Sequence, residues 1–220
     1  VGTLYDDRKA SFRQRYISWN RGLSEAYLSF GFDSFLPEAA LHAREAGPSY
    51  LRQAVEICLR AADYCLAAGQ WETAAGYAGF VVEHGDKSQA VRAGTIFLKA
   101  QWLLRADPAQ PQLEPVITQL RKLVEESGDS NDEKALLACE LARTFWPSAW
   151  NPHSADDKVA QLLDGVHPQS AAARIRTAHF KAATLHKFSG KESPGRRQAL
   201  EQLRKAVELP AEDSAARQEK

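Results

Sequence analysis

Cys58 and Cys65 are seven residues apart, which puts both thiols on one face of a helix. With His84 they could be imagined as metal ligands. No C-x-x-C or H-x-x-x-H spacing accompanies them, so the trio does not read as a zinc site. Small cysteines buried in a helix hairpin are the expected reading. His179 and His186 repeat the seven-residue spacing, which a pH sensor or a metal site could use, but surface or groove positions are expected. His153 and His167 flank loops without a partner pattern. The chain has no G-x-S-x-G, no P-loop, no G-x-G-x-x-G and no calcium loop. Its many carboxylates fall on amphipathic faces rather than in general-acid pairs. The chemistry-bearing residues therefore imply no catalytic residue, no metal and no cofactor, and a protein that is not an enzyme.

Two other groups could bind rather than react. Arg8, Lys9, Arg13, Arg15 and Arg21 are interleaved with Phe12, Tyr16 and Trp19. An RNA-facing patch would look like this. The expected reading is a first helix that buries its aromatic side and solvates a basic one, since Asp6, Asp7 and Glu25 dilute the charge. The segment Phe145-Trp146-Pro147-Ser148-Ala149-Trp150-Asn151-Pro152 loads two tryptophans onto a proline-rich connection. One is expected to pack under a neighbouring hairpin, the other, Trp150, to face a partner, because exposed aromatics supply binding energy.

The elements that position these residues read as helices. Alanine, leucine, glutamate, arginine and glutamine dominate the runs, and no stretch of β-branched residues alternates with polar ones. Breakers carry cap chemistry. Gly47-Pro48-Ser49 closes one helix and opens the next, and Ala68-Gly69-Gln70 is a tight turn. Asp86 with Gln89, and Ser130 with Glu133, have capping-box spacing. The expected helices cover 4–30 (continuous or broken near Asn20–Gly22), 37–46, 49–68, 71–84, 87–106, 112–127, 131–146, 154–166, 170–188 and 194–209. Residues 211–220 read as a frayed polar tail.

Four of these helices share a register at offsets of 42, 42 and 41 residues, starting at Trp71, Leu113, Ala155 and Arg196. Their apolar positions align as Ala75, Ile117, Val159 and Leu200, then Ala78, Leu120, Leu162 and Leu203, then Val82, Val124, Val166 and Val207. The spacing i, i+3, i+7 is one face of a helix. A period near 40 with two helices per period is the signature of a helical solenoid, whose hairpins bury their faces only by stacking.

Two segments carry a family resemblance. In Ala61–Phe80, Gly69, Trp71, Ala74 and Ala78 stand where a tetratricopeptide repeat (TPR) has its turn glycine, an aromatic and two packed positions. Ala199–Pro210 is similar to the end of such a repeat, with Ala199, Leu203 and Ala206 in register. The middle repeats match in apolar spacing alone, and the period is longer than the family's 34 residues. The chain thus resembles a divergent TPR-like array, and nearly as well the helical-repeat part of PCI-type complex subunits. The resemblance implies an all-α fold, a right-handed α-α superhelix of about four to five hairpins. It would form one domain over 1–210, with hairpins at 49–85, 87–128, 131–167 and 170–209 after N-terminal helices in 4–46. It also implies an inner groove, with Leu59, Asp63, Phe97 and Gln101 at groove positions. The lysine and asparagine pair that grips chaperone C-termini is missing from them, so that ligand is not expected.

The expected function is non-catalytic protein binding, as a scaffold or adaptor within a larger protein or a multi-subunit complex. A partner protein or peptide would lie against Arg60, Asp63, Gln101 and Arg105, with Trp150 as a further contact. The alternatives are a regulatory sensor attached to an enzyme or transcription regulator and, more weakly, an RNA-binding repeat. Lysine plus arginine equals aspartate plus glutamate at 28 each, with 12 of each sign in 1–110 and 16 of each in 111–220. That balance argues against nucleic acid or an anionic membrane as the main partner. No apolar run reaches 18 residues. Three scattered cysteines suit a reducing compartment, cytoplasmic or nuclear. The chain opens Val1-Gly2-Thr3-Leu4 and contains no methionine, as expected for a piece of a longer protein.

Overall fold

The computed structural model describes residues 2–104, 113–126, 132–145 and 162–188, with Glu201 and Arg204. All regular structure among the described residues is helical, and none of these helices is long and apolar enough to cross a membrane. The chain divides into two compact units, Val1–Arg105 and Ala106–Lys220.

Unit 1 holds five helices: α1 (Gly2–Ser29), α2 (Leu36–Glu45), α3 (Leu51–Ala67), α4 (Trp71–His84) and α5 (Lys87–Leu103). Short 3-10 turns at Asp33–Phe35 and Pro48–Tyr50 lead into α2 and α3. α1 runs unbroken through Asn20–Gly22. Each helix packs on the next in chain order, and α3 also touches α5. The connections are too short for anything but hairpins. Gly47 sets one of them, with φ of 81° and a site where an added Cβ would lie 3.2 Å from Ile17 of α1. Only glycine takes that backbone without strain. Asp86 starts α5 through a full capping box with Gln89, as the sequence pattern anticipates.

Small residues let these helices come close. α2 buries Ala39, Ala40 and Ala43, α3 buries Ala54, Cys58, Ala61, Ala62 and Cys65, and α4 buries Ala74, Ala78 and Val81. The Tyr77 hydroxyl of α4 donates to the Pro37 carbonyl of α2 at 2.6 Å. α1 is tied to α2 by a polar contact instead. Asn20, buried, gives its amide N–H to the Tyr16 carbonyl and sets its Oδ1 2.8 Å from His42 Nδ1.

Unit 2 contains α6 (Glu114–Glu125), α7 (Asp132–Phe145), a helical turn at 162–164 and α8 (Ala171–Phe188). α6 packs on α7 and α7 on α8. Lys134 donates to the Glu126 carbonyl at the end of α6, and Lys181 of α8 sits 3.2 Å from Asp164. Asp132 reaches across to α8, accepting from the backbone N–H of Gln169 (2.6 Å) and Ser170 (3.0 Å). Ser170 in turn accepts from Ala173 N–H as the N-cap of α8. Glu140, buried in α7, is held between Arg143 (2.9 Å) and Arg176 of α8 (2.7 Å).

The repeat register falls on the core. Ala75, Ala78 and Val82 are buried, as are Ile117, Leu120 and Val124, and Leu162 and Val166. Val166 lies past the end of its helical turn, whereas the sequence pattern carries that helix to 166. Val159, Leu200, Leu203 and Val207, with the Ser130 cap, lie outside the described residues.

Candidate partner-binding surface

The outer face of α3 is a stripe of alternating charge. Arg52, Glu56, Arg60 and Asp63 are spaced i, i+4, i+8 and i+11, which sets them in one row along the helix. Arg52 lies 3.8 Å from Glu56. Arg60 lies 3.8 Å from Asp33 in the turn before α2, and Asp63 accepts a hydrogen bond from the Arg92 guanidinium of α5. These four charges are solvated enough to exchange one partner for another, which is how rim charges steer association.

At one end of the row stands an aromatic knuckle. α1 ends at Ser29, Gly31 turns the chain with φ of 72°, and Phe30, Phe32 and Phe35 gather at the turn. Phe35 is the half-buried hub, with ring centroids 5.2 Å from Phe30, 6.3 Å from Phe32 and 5.9 Å from Tyr27. Tyr27 stacks in turn on His42. Phe30 remains 58% exposed and Phe32 67%. Rings preorganised by neighbours and still in water lose little entropy when a partner covers them. Asp33, next to Phe32, joins the knuckle to the α3 stripe through Arg60.

Of the residues the sequence pointed to, Arg60 and Asp63 lie together on this surface. Gln101 does not join them. It is nine residues beyond Arg92 on α5, half a turn round the helix, so it faces away from the Asp63–Arg92 pair. Leu59 and Phe97, expected at groove positions, are core residues. The Phe97 ring lies 3.7 Å from where a Cβ on Gly79 would stand, so it fills the gap that glycine leaves in α4. Arg105, Trp150 and the Trp146–Pro152 loop lie outside the described residues. Phe30, Phe32 and Arg92 were not singled out from sequence. Three phenylalanines within six residues of a glycine break were the available signal.

Cys58 and Cys65 are buried between α2, α3 and α4. Burial pushes the Cys58 thiol up to about 12 against a weaker pull from Arg44, and raises Cys65 too, with Glu38 adding to it. Such thiols stay protonated and are poor nucleophiles and poor ligands. His84 packs instead against Phe80, with centroids 4.6 Å apart and ring planes tilted by 57°. Among the described residues no three His, Cys, Asp or Glu side chains converge on a point that could hold a metal. His179 is exposed on α8.

No family model, curated protein or solved structure matches the chain. The functional reading rests on the surface itself. It offers contact area and charge, and its carboxylates, Asp33, Glu56 and Asp63, each face an arginine.

Proposed function

We propose that the chain is a non-catalytic protein-binding module, a TPR-like helical scaffold that engages a protein or peptide within a larger assembly. The observation that carries this reading is the knuckle, where two exposed phenylalanines are held in place beside a row of charge. Phe30 and Phe32 would enter pockets on the partner as anchors. Arg52, Glu56, Arg60 and Asp63 would form the rim, setting orientation and salt dependence rather than most of the affinity. The successive packing of α1 to α5 supports a stack of hairpins of the TPR kind, and the buried register at Ala78, Leu120 and Leu162 agrees with it. The buried free thiols suit a reducing compartment.

The test is selection from a random peptide library displayed on phage, against the whole chain and against a Phe30→Ala/Phe32→Ala variant. Both residues are exposed, so the variant should keep its helical circular dichroism and melting temperature. The selected peptides should bind the parent at least about tenfold more tightly, as expected for loss of an anchor residue. Peptides that bind both proteins alike would remove the knuckle from the interface. Arg60→Glu should alter the salt dependence of binding more than its strength.

A further inference from the structure

α1 carries a second surface, independent of the knuckle. The helix has 28 residues, about 42 Å at 1.5 Å per residue, against the 10 residues of α2. Its N-terminal part overhangs its neighbour, and residues 9–16 are all exposed. Where the sequence suggested that Phe12, Tyr16 and Trp19 would be buried, the structure turns them outward. Phe12 is 72% exposed and Trp19 63%. The face that goes inside is Asn20 and Ser24, with Ile17 and Leu28 beside them.

The spacing of the exposed stripe is informative. Phe12, Tyr16, Trp19 and the half-buried Leu23 follow a 4-3-4 rhythm, which keeps them within an arc of about 60°. That is the seam of a two-helix coiled coil, narrower than the arc of 100° or more by which a helix faces a broad core. In heptad terms Arg13 follows one seam position and Arg15 precedes the next, so the two flank the seam where paired helices exchange charge. Lys9 stands on the seam one turn earlier. From Arg8 to Ser24 there is no acidic residue. Arg21 is matched by Glu25 at 2.9 Å, whereas Lys9, Arg13 and Arg15 have no acidic partner among the described residues.

We propose that this stripe is a docking seam for one acidic amphipathic helix of another protein, with apolar residues facing Phe12, Tyr16 and Trp19 and glutamates or aspartates facing Arg13 and Arg15. Charge selects this occupant. A second copy of α1 would set arginine against arginine at the flanks, and like charges there reject a pair. A lipid surface is matched by a broad apolar face, and this one is a single seam wide.

The experiment measures fluorescence anisotropy of two labelled synthetic helices titrated with the whole chain. Both carry leucine on the seam, one with glutamate at the flanks and the other with lysine. The glutamate helix should bind at least about tenfold more tightly, and added salt should narrow the gap. Arg13→Glu/Arg15→Glu should invert the preference. Trp19→Ala should weaken binding about tenfold. Phe30→Ala/Phe32→Ala should leave it unchanged, which separates this seam from the knuckle. Equal binding of the two helices, or none, overturns the proposal. So does Arg13- and Arg15-dependent capture of the chain by phosphatidylserine vesicles or polyuridylate in place of the glutamate helix. Dimerisation in sedimentation equilibrium that Trp19→Ala abolishes would give the seam to a second copy and overturn it as well.

Discussion

Two ion pairs join separate helices of the chain, and they sit in opposite surroundings. In unit 1 Arg92 of α5 meets Asp63 of α3 in water, both side chains well exposed. In unit 2 Arg176 of α8 meets Glu140 of α7, whose side chain is 1% exposed and is shared with Arg143. The first can be dissolved by solvent at small cost, since water replaces each lost partner. The second cannot, because a charge left alone in the interior has no water to turn to. Burial and the neighbouring Arg176 push the Arg143 pKa down, with Glu140 opposing. Similar chemistry therefore serves as adjustable surface charge in one unit and as a structural tie in the other.

Removing Glu140 is the hardest test of that contrast. Glu140→Ala removes the buried carboxylate that Arg143 and Arg176 share. It should destabilise unit 2 by about 3–5 kcal/mol, read as lost hydrogen-exchange protection in α7 and α8 while α3 and α4 keep theirs.

Asp132 lies between the two extremes. Burial disfavours its ionised form, but the hydrogen bonds from Ser170 and Gln169 and the charge of Arg174 outweigh this and hold its pKa below the ordinary 3.8. Because folding lowers the pKa, the stabilisation is complete above 3.8 and is lost as pH falls through the lower folded value. Asp132→Ala should cost about 0.5–2 kcal/mol at neutral pH, the range for lost caps. Asp132→Asn should flatten the acid limb of the melting temperature below about pH 4.

The smallest effect belongs to the exposed pair. A double-mutant cycle with Asp63→Ala and Arg92→Ala should give a coupling of about 0.2–1 kcal/mol that fades in molar salt. A coupling near that of Glu140 would erase the distinction between the units.

The local punctuation of unit 1 was legible because its signals are local. α4 occupies the expected 71–84, and the Asp86–Gln89 box opens α5. Helical periodicity was enough to put Arg60 and Asp63 on one exposed row. The inward face of α1 was not legible. Aromatic residues are expected to seek the interior, yet Asn20 goes inside, because His42, 22 residues away, satisfies its amide. A partner that distant leaves no mark on the pattern of α1. Leu59 and Phe97 were misplaced for a related reason. A repeat template assigns them to a groove, while the space left by Gly79 draws Phe97 into the core. The phenylalanine knuckle was missed because a loop has no periodicity from which to read which rings point out.

The alanine face of α2 has a consequence for how the chain assembles. Ala39, Ala40 and Ala43 have no rotamers to freeze, so ordering that face costs backbone entropy alone. Ten residues are also fewer than the 12–15 or so at which an isolated helix becomes even marginal in water. α2 thus gains its structure from what surrounds it: the Tyr77 hydroxyl over Pro37, the Asn20 amide at His42, and the apolar walls of α1 and α3. It is a keystone set last between two longer arms, and in a folding pulse its amides would be the latest in unit 1 to be shielded.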